Sequence, residues 1–175
     1  TLTIDPGVKI YGQNSSSHLG VQGTLIAEGT ETKPILFTSP NETPTAGNWG
    51  HIQFTSGSSG RLSHAILEYG GSGSAALLLD GSPVIENITV RHSNSHGVQL
   101  RYDSAAILDH ILVENVLLSA FYSSTSGAEI PTGAYQVLNS QLSGGNGSAQ
   151  FGYKVTGANP MPKIIGNTIS GGSAD

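Results

Sequence analysis

The side chains able to do chemistry are few in this chain, and several recur at one distance. The arginines are Arg61, Arg91 and Arg101, and the lysines are Lys9, Lys33, Lys154 and Lys163. Glu68, Arg91 and Glu114 are spaced 23 apart. If 23 residues make one repeat, they form a carboxylate–guanidinium–carboxylate column able to act on an acidic sugar. The simpler reading is a charge ladder, in which a cross-strand pair contributes roughly 0.2–1 kcal/mol, and less when exposed. Ser63, Glu86 and Asp109 form a second column. Carboxylates on adjacent repeats would stand about 5 Å apart, which suits a retaining glycosidase. His64 and His110 flank this column, but successive residues of a strand face opposite ways, so the histidines are expected on the other face. No residue is assigned as catalytic, and Glu68, Arg91, Glu114, Glu86 and Asp109 are the candidates.

Asp80 and Asp103, again 23 apart, form a third column. Two stacked carboxylates invite Ca²⁺, but an oxygen site takes about six to eight ligands. Turn-forming Asp is the default, so no cofactor is assigned and Ca²⁺ at Asp80 and Asp103 is the alternative. His92 and His96 have metal spacing only on a helix, and their Ser/Asn/Gly-rich segment reads as a turn with both histidines exposed. Trp49, Tyr69, Tyr102, Phe121, Tyr122, Tyr135 and Tyr153 are the aromatics available for a sugar-stacking strip. Phe121 is placed inside, in a column with Ala75 and Val98. Tyr102 and Tyr122 are the candidate ligand-binding residues.

Composition narrows the classes. Charged residues are 11% of the 175, against about 25% in ordinary soluble domains. The surface must therefore be neutral and polar, as 23 Ser and 14 Thr suggest. A net charge of −5 gives no basic footprint for nucleic acid. No apolar run approaches the roughly 18 residues of a membrane helix. The absence of Cys excludes disulfide scaffolds and zinc–thiolate sites. Low charge, many Ser, Thr, Gly and Asn, and no Cys lead us to expect an extracellular or cell-surface protein. Four glycosylation tripeptides begin at Asn14, Asn41, Asn87 and Asn146. Such tripeptides arise readily by chance in a Ser/Thr-rich chain.

What must position these residues is a repeat. Segments 62–84, 85–107 and 108–130 align, with Leu62, Ile85 and Leu108 in one column and Leu67, Val90 and Val113 in another. Leu77 is aligned with Leu100. Looser copies carry Val137 and Leu142, then Ile164 and Ile169, at steps of 29 and 27 that imply longer loops. Ala105–Leu118 can be forced into a helix, but its in-register copy is interrupted by Asn, Thr and Ser and reads as strand. Short strands broken by turn residues at this period describe coils of a parallel β-helix, which bury their inner faces only by stacking. The expectation is one all-β domain over 1–175 with about seven coils of roughly 23 residues. Its coils are looser over 1–60, regular over 62–130 and longer-looped over 131–175. Residues 39–48 leave the coil as a loop.

The segments LTIDPGVKIYG, LGVQGTLIAEGTETKPILFTS, GNWGHIQF and LSHAILEYGG resemble right-handed parallel β-helix proteins of the pectate-lyase-like superfamily. They are most similar to repeat regions of large secreted or cell-surface proteins of bacteria and archaea. PVIENITV and KIIGNTISGG resemble that superfamily's generic coil. The resemblance implies a right-handed solenoid and, at one inner turn, a ladder of stacked Asn. The matching column here is His64, Asn87, His110, Asn139 and Gly166, a degenerate version. The fold carries lyases, hydrolases, adhesins and inert stalks alike.

Both ends of such a solenoid expose strand edges, which recruit other strands. The sequence shows no amphipathic capping helix at either end. The expected partners are therefore flanking coils of a longer chain or a second molecule stacked head to tail. An extracellular polysaccharide is a further candidate partner. The expected role is a non-catalytic stalk, adhesin or filament segment, and the alternative is a polysaccharide lyase, hydrolase or glycan-binding module.

Overall fold

A computed structural model describes residues 1–124, 130–150 and 161–171. Its strands are three to five residues long, cut short by Gly, Ser, Asn and Asp. They fall into three parallel sheets. Sheet A stacks β1 (Leu2–Ile4), β4 (Thr24–Glu28), β7 (Ser59–Ser63), β10 (Val84–Glu86), β13 (Ile107–Asp109), β16 (Gln136–Leu138) and β19 (Lys163–Ile165). Sheet B stacks β2 (Lys9–Tyr11), β5 (Ile35–Thr38), β8 (Ala65–Glu68), β11 (Thr89–Arg91), β14 (Leu112–Glu114), β17 (Gln141–Ser143) and β20 (Thr168–Ser170). Sheet C stacks β3 (Leu19–Val21), β6 (Ile52–Phe54), β9 (Leu77–Leu79), β12 (Val98–Leu100), β15 (Ser119–Ser123) and β18 (Gly147–Gln150). The chain is thus a parallel β-solenoid of six turns with three strands each, plus two strands of a seventh. No helix forms at 105–118, where β13 and β14 lie instead.

Alternation makes the core. Each short strand turns one or two aliphatics inward, and parallel pairing sets them in columns. Ile4, Ala27, Leu62, Ile85, Leu108, Val137 and Ile164 run up sheet A. Ile10, Phe37, Leu67, Val90, Val113, Leu142 and Ile169 run up sheet B. Phe54, Leu79 and Leu100 do so in sheet C. Between the end turns these side chains are fully buried. A single turn could not exclude water from them; stacking does.

The uniform 23-residue coil gives way to variable steps. Sheet A advances by 23 (Leu2 to Leu25), 35 (Ala27 to Leu62), 23, 23, 29 (Leu108 to Val137) and 27 (Val137 to Ile164), so the coil averages about 27 residues. The long second coil contains the loop between β5 and β6. That loop is pinned by Asn48, whose side chain accepts from the Thr45 amide and the Asn41 side chain.

The corner between sheets A and B follows one rule from the third turn on. A residue with left-handed backbone closes each strand of sheet A: His64, Asn87, His110 and Asn139 at φ 46–53°, then Gly166 at 70°. Left-handed backbone costs an ordinary residue roughly 1–2 kcal/mol. Asn and Gly tolerate it best, and His several-fold better than β-branched residues. Each corner amide donates to the carbonyl just before the next corner, as in His64 to Glu86, Asn87 to Asp109, His110 to Leu138 and Asn139 to Ile165, at 2.9–3.2 Å. The expected column exists, then, but as a backbone ladder. Its side chains lie at the surface because the left-handed turn directs them outward. The polar side chains inside this corner sit one position later, in the column of Ile88, Ile111, Ser140 and Asn167. The Ser140 hydroxyl accepts from the Ile111 amide and donates to the Leu138 carbonyl. Asn167 accepts from the Ser140 amide and donates to the Val137 carbonyl.

Gly60 in β7 has φ 128°, and a Cβ there would meet the Leu25 carbonyl at 1.9 Å. Only glycine lets β7 lie against β4.

Candidate functional site

The walls formed by sheets A and B carry most of the sequence candidates. Glu68, Arg91 and Glu114 share one column, as their spacing predicts. Among the described residues Arg91 pairs with Glu68 and not with Glu114, donating from Nε and Nη2 to Oε2 at 2.9 and 2.7 Å. The other Glu68 oxygen accepts from the Thr38 hydroxyl at 2.9 Å. Glu68 is buried, and its backbone carbonyl accepts from the Trp49 indole at 2.8 Å. Ser63, Glu86 and Asp109 also share a column, which begins at Glu28. Between these carboxylates lies Arg61, paired with Glu28 at 3.1 Å and with Glu86. Arg61 is two residues from Ser63 in β7 and so on the same face, the signal in the sequence that ties it to this column. His110 does meet Asp109, against expectation, at 2.8 Å from Nδ1. Alternation ends at Asp109, and the left-handed backbone of His110 swings its ring back. Asp109 also accepts from the Asn139 side chain at 3.0 Å.

Asp80 and Asp103 do not share a column. The 23-residue register holds for sheets A and B but slips in sheet C, where Leu77 pairs with Val98 and Leu79 with Leu100. From Glu68 to Leu77 is nine positions, whereas from Arg91 to Val98 is seven. The next corner restores the difference. Ala75 accordingly leaves the column of Val98 and Phe121, and Leu77 leaves that of Leu100. Opposite Asp80 stands Arg101, while Asp103 lies exposed at a turn.

The slip assembles the most enclosed polar cluster on the outer face of sheet C. Arg101 grips Asp80 with two bonds, Nε to Oδ1 at 2.8 Å and Nη2 to Oδ2 at 2.9 Å. The Gln53 amide donates to the same Oδ2 at 2.8 Å. The side chains of Asp80 and Arg101 are 6% and 18% exposed, the lowest of any ion pair described. Tyr102, at φ 58°, lies beneath the Arg101 guanidinium at 5.1 Å. His51 is beside them and stacks on His18 at 5.4 Å. Its Nδ1 is buried with no hydrogen-bond partner among the described residues. Burial and then the neighbouring His18 charge hold His51 below its ordinary pKa, with Gln53 and Asp80 pulling back more weakly.

Two turns further on, Tyr122 points outward from β15 and stacks on His96 at 4.4 Å. Burial lowers the His96 pKa. Its Nδ1 accepts from the Ser119 amide at 3.2 Å, so the neutral ring carries its proton on Nε2. Gln99, between them and the ion pair, accepts from the Ser74 hydroxyl at 3.0 Å. His92 stacks on Tyr69 at 5.0 Å, so neither His92 nor His96 is the freely exposed ring expected. Of the other aromatics proposed for a strip, Trp49, Phe121 and Tyr135 are buried, and Tyr153 lies outside the described residues.

Chemically, this face presents neutral donors, acceptors and ring faces beside a charge pair that is already satisfied. Both Asp80 oxygens are engaged, by Arg101 and by Gln53. Among the described residues, no three His, Asp or Glu side chains gather as a metal site would require. The signal for this pair in the sequence is a pair of opposite charges 21 residues apart, off the 23-residue period.

A solenoid of three parallel sheets with this corner ladder defines the class. Residues 1–76 match a family described as a pectate-lyase like beta helix domain. The matched stretch covers the first two turns and the third up to β9. No curated protein and no solved structure matches the chain.

Proposed function

We propose that this β-solenoid is a non-catalytic structural module of the cell exterior, a rigid rod rather than an enzyme. One observation carries the reading: each of the three arginines binds carboxylates of neighbouring turns. Arg61 joins Glu28 and Glu86, Arg91 joins Glu68, and Arg101 joins Asp80. Groups that would serve as base or charge clamp in a lyase or hydrolase instead fasten one turn to the next. The low charge of the surface supports close packing of such rods, since self-repulsion is small. The test is incubation of the chain with neutral and acidic polysaccharides, with and without Ca²⁺, following new reducing ends and unsaturated products. No release above the no-protein control is expected. Release that is lost in Arg91→Met or Glu114→Gln would instead make sheet B an active site.

A second reading has its own support. The rings of Tyr102 and Tyr122 flank Gln99 and the Asp80–Arg101 pair on sheet C, an arrangement that suits an uncharged glycan. Binding to a glycan array that Tyr122→Ala abolishes would establish it.

A further inference from the structure

We infer that His96 is a proton-operated latch between the fourth and fifth turns: neutral, it ties the start of β15 to the corner before β12; protonated, it releases that strand end and resets the Tyr122 ring stacked upon it. Three successive amides of the fifth turn cross back to the fourth at this corner between sheets B and C. Leu117 donates to the Ser93 carbonyl at 2.9 Å and Leu118 to the Ser95 carbonyl at 3.1 Å. The third amide, of Ser119, lands instead on a side chain, His96 Nδ1, at 3.2 Å. A carbonyl accepts at any pH, whereas an imidazole nitrogen accepts only while its lone pair is free. This one rung therefore depends on the charge of its acceptor.

The backbone of His96 is fixed independently of its ring. Its carbonyl accepts from the Ala76 amide at 3.1 Å and from the hydroxyl of buried Ser93 at 2.8 Å. The same hydroxyl accepts from the Ser95 amide at 3.3 Å, which closes the turn. The ring can thus change partners while the chain beneath it stays in place. Tyr122 is the titratable side chain that faces it, at 4.4 Å and 15°. The described segments 70–76, 93–98 and 115–120 around it carry no Asp, Glu, Lys or Arg. His92 stacks on Tyr69 instead. No carboxylate of these segments steadies an imidazolium here, and burial holds the ring below its ordinary pKa. The latch is therefore closed at neutral pH and opens in acid, below about pH 6.5. A solvent proton then takes the Nδ1 lone pair, and the new N–H meets the Ser119 N–H head on. Two donors cannot share one hydrogen bond, so the ring turns and the Ser119 amide is left to water.

The test is a nitrogen-15 NMR titration of the whole chain from about pH 7.5 to about pH 5, across the range in which histidine changes charge. At the upper end the His96 ring nitrogens should report Nδ1 as the bare acceptor and Nε2 as the protonated one. On acidification the Ser119 amide proton should shift upfield with the midpoint of the His96 ring, and the Tyr122 ring resonances should follow. The Leu117 and Leu118 amides should move much less. His96→Gln keeps an acceptor that acid does not change, so the Ser119 and Tyr122 shifts should become flat. His51→Gln should leave them titrating as before. A Ser119 amide that does not move, a midpoint different from that of His96, or a neutral ring protonated on Nδ1 overturns the inference. So does a Ser119 shift that persists in His96→Gln, or loss of all native resonances at that midpoint in place of a local change. If His96→Gln fails to fold, the titration of the unaltered chain and of His51→Gln decides the question.

Discussion

At the scale of single residues, the three arginines make similar bonds at very different depths, and depth decides what each contributes. Breaking a well-buried ion pair leaves an uncompensated charge and costs about 3–5 kcal/mol; an exposed pair contributes about 0–1 kcal/mol. Arg101 is 18% exposed with a partner at 6%, Arg91 is 38% with a partner at 11%, and Arg61 is 43% with partners at 26% and 52%. Urea unfolding should therefore rank Arg101→Met as the most damaging, Arg91→Met next and Arg61→Met close to neutral. The histidines give a pH dependence. His51 and His96 have folded pKa values below the ordinary one, chiefly through burial. Above about pH 6.5 they are neutral in both states and do not affect stability. Below that, the unfolded chain takes up protons more readily, so stability falls as pH drops toward the folded values. The melting temperature should decline from pH 7 to pH 5, and His51→Gln/His96→Gln should lessen the decline.

At the scale of elements, the strands of sheets A and B are legible in the sequence because the corner joining them never changes length after the second turn. Ser63 to Ile66, Glu86 to Thr89, Asp109 to Leu112 and Leu138 to Gln141 are the same step. A fixed step makes both registers visible as one period. Sheet C lies beyond a corner that shortens by two residues between the third and fourth turns and is compensated at the next corner. The period survives that compensation while the register does not, which hid the partnership of Asp80 with Arg101. The His110–Asp109 contact was hidden for another reason: strand alternation was extended one residue too far. The corner itself can be tested at Asn87, which has φ 53°. Asn87→Gly should leave stability nearly unchanged, and Asn87→Ile should lower it by about 1–2 kcal/mol in thermal or urea unfolding.

At the scale of the whole molecule, every strand pairs only with strands of the turns beside it, so stability is largely a sum over neighbours along the rod. Among the described strands, those of the first and last turns pair on one side. Amide hydrogen exchange should be slowest in β8, β11 and β14 and fastest in β1–β3, β19 and β20.

One edge of this prism behaves as a ruler and the other two as shelves. Every change of coil length after the second turn is taken up at the two edges bordering sheet C, and the edge between sheets A and B stays constant. Loops can thus be lengthened or exchanged around sheet C without disturbing the stack beneath them. An insertion at the constant edge would instead put every later turn out of step. Variation within such a scaffold is channelled to the surroundings of a single face, the one that already holds Asp80, Arg101 and Tyr122.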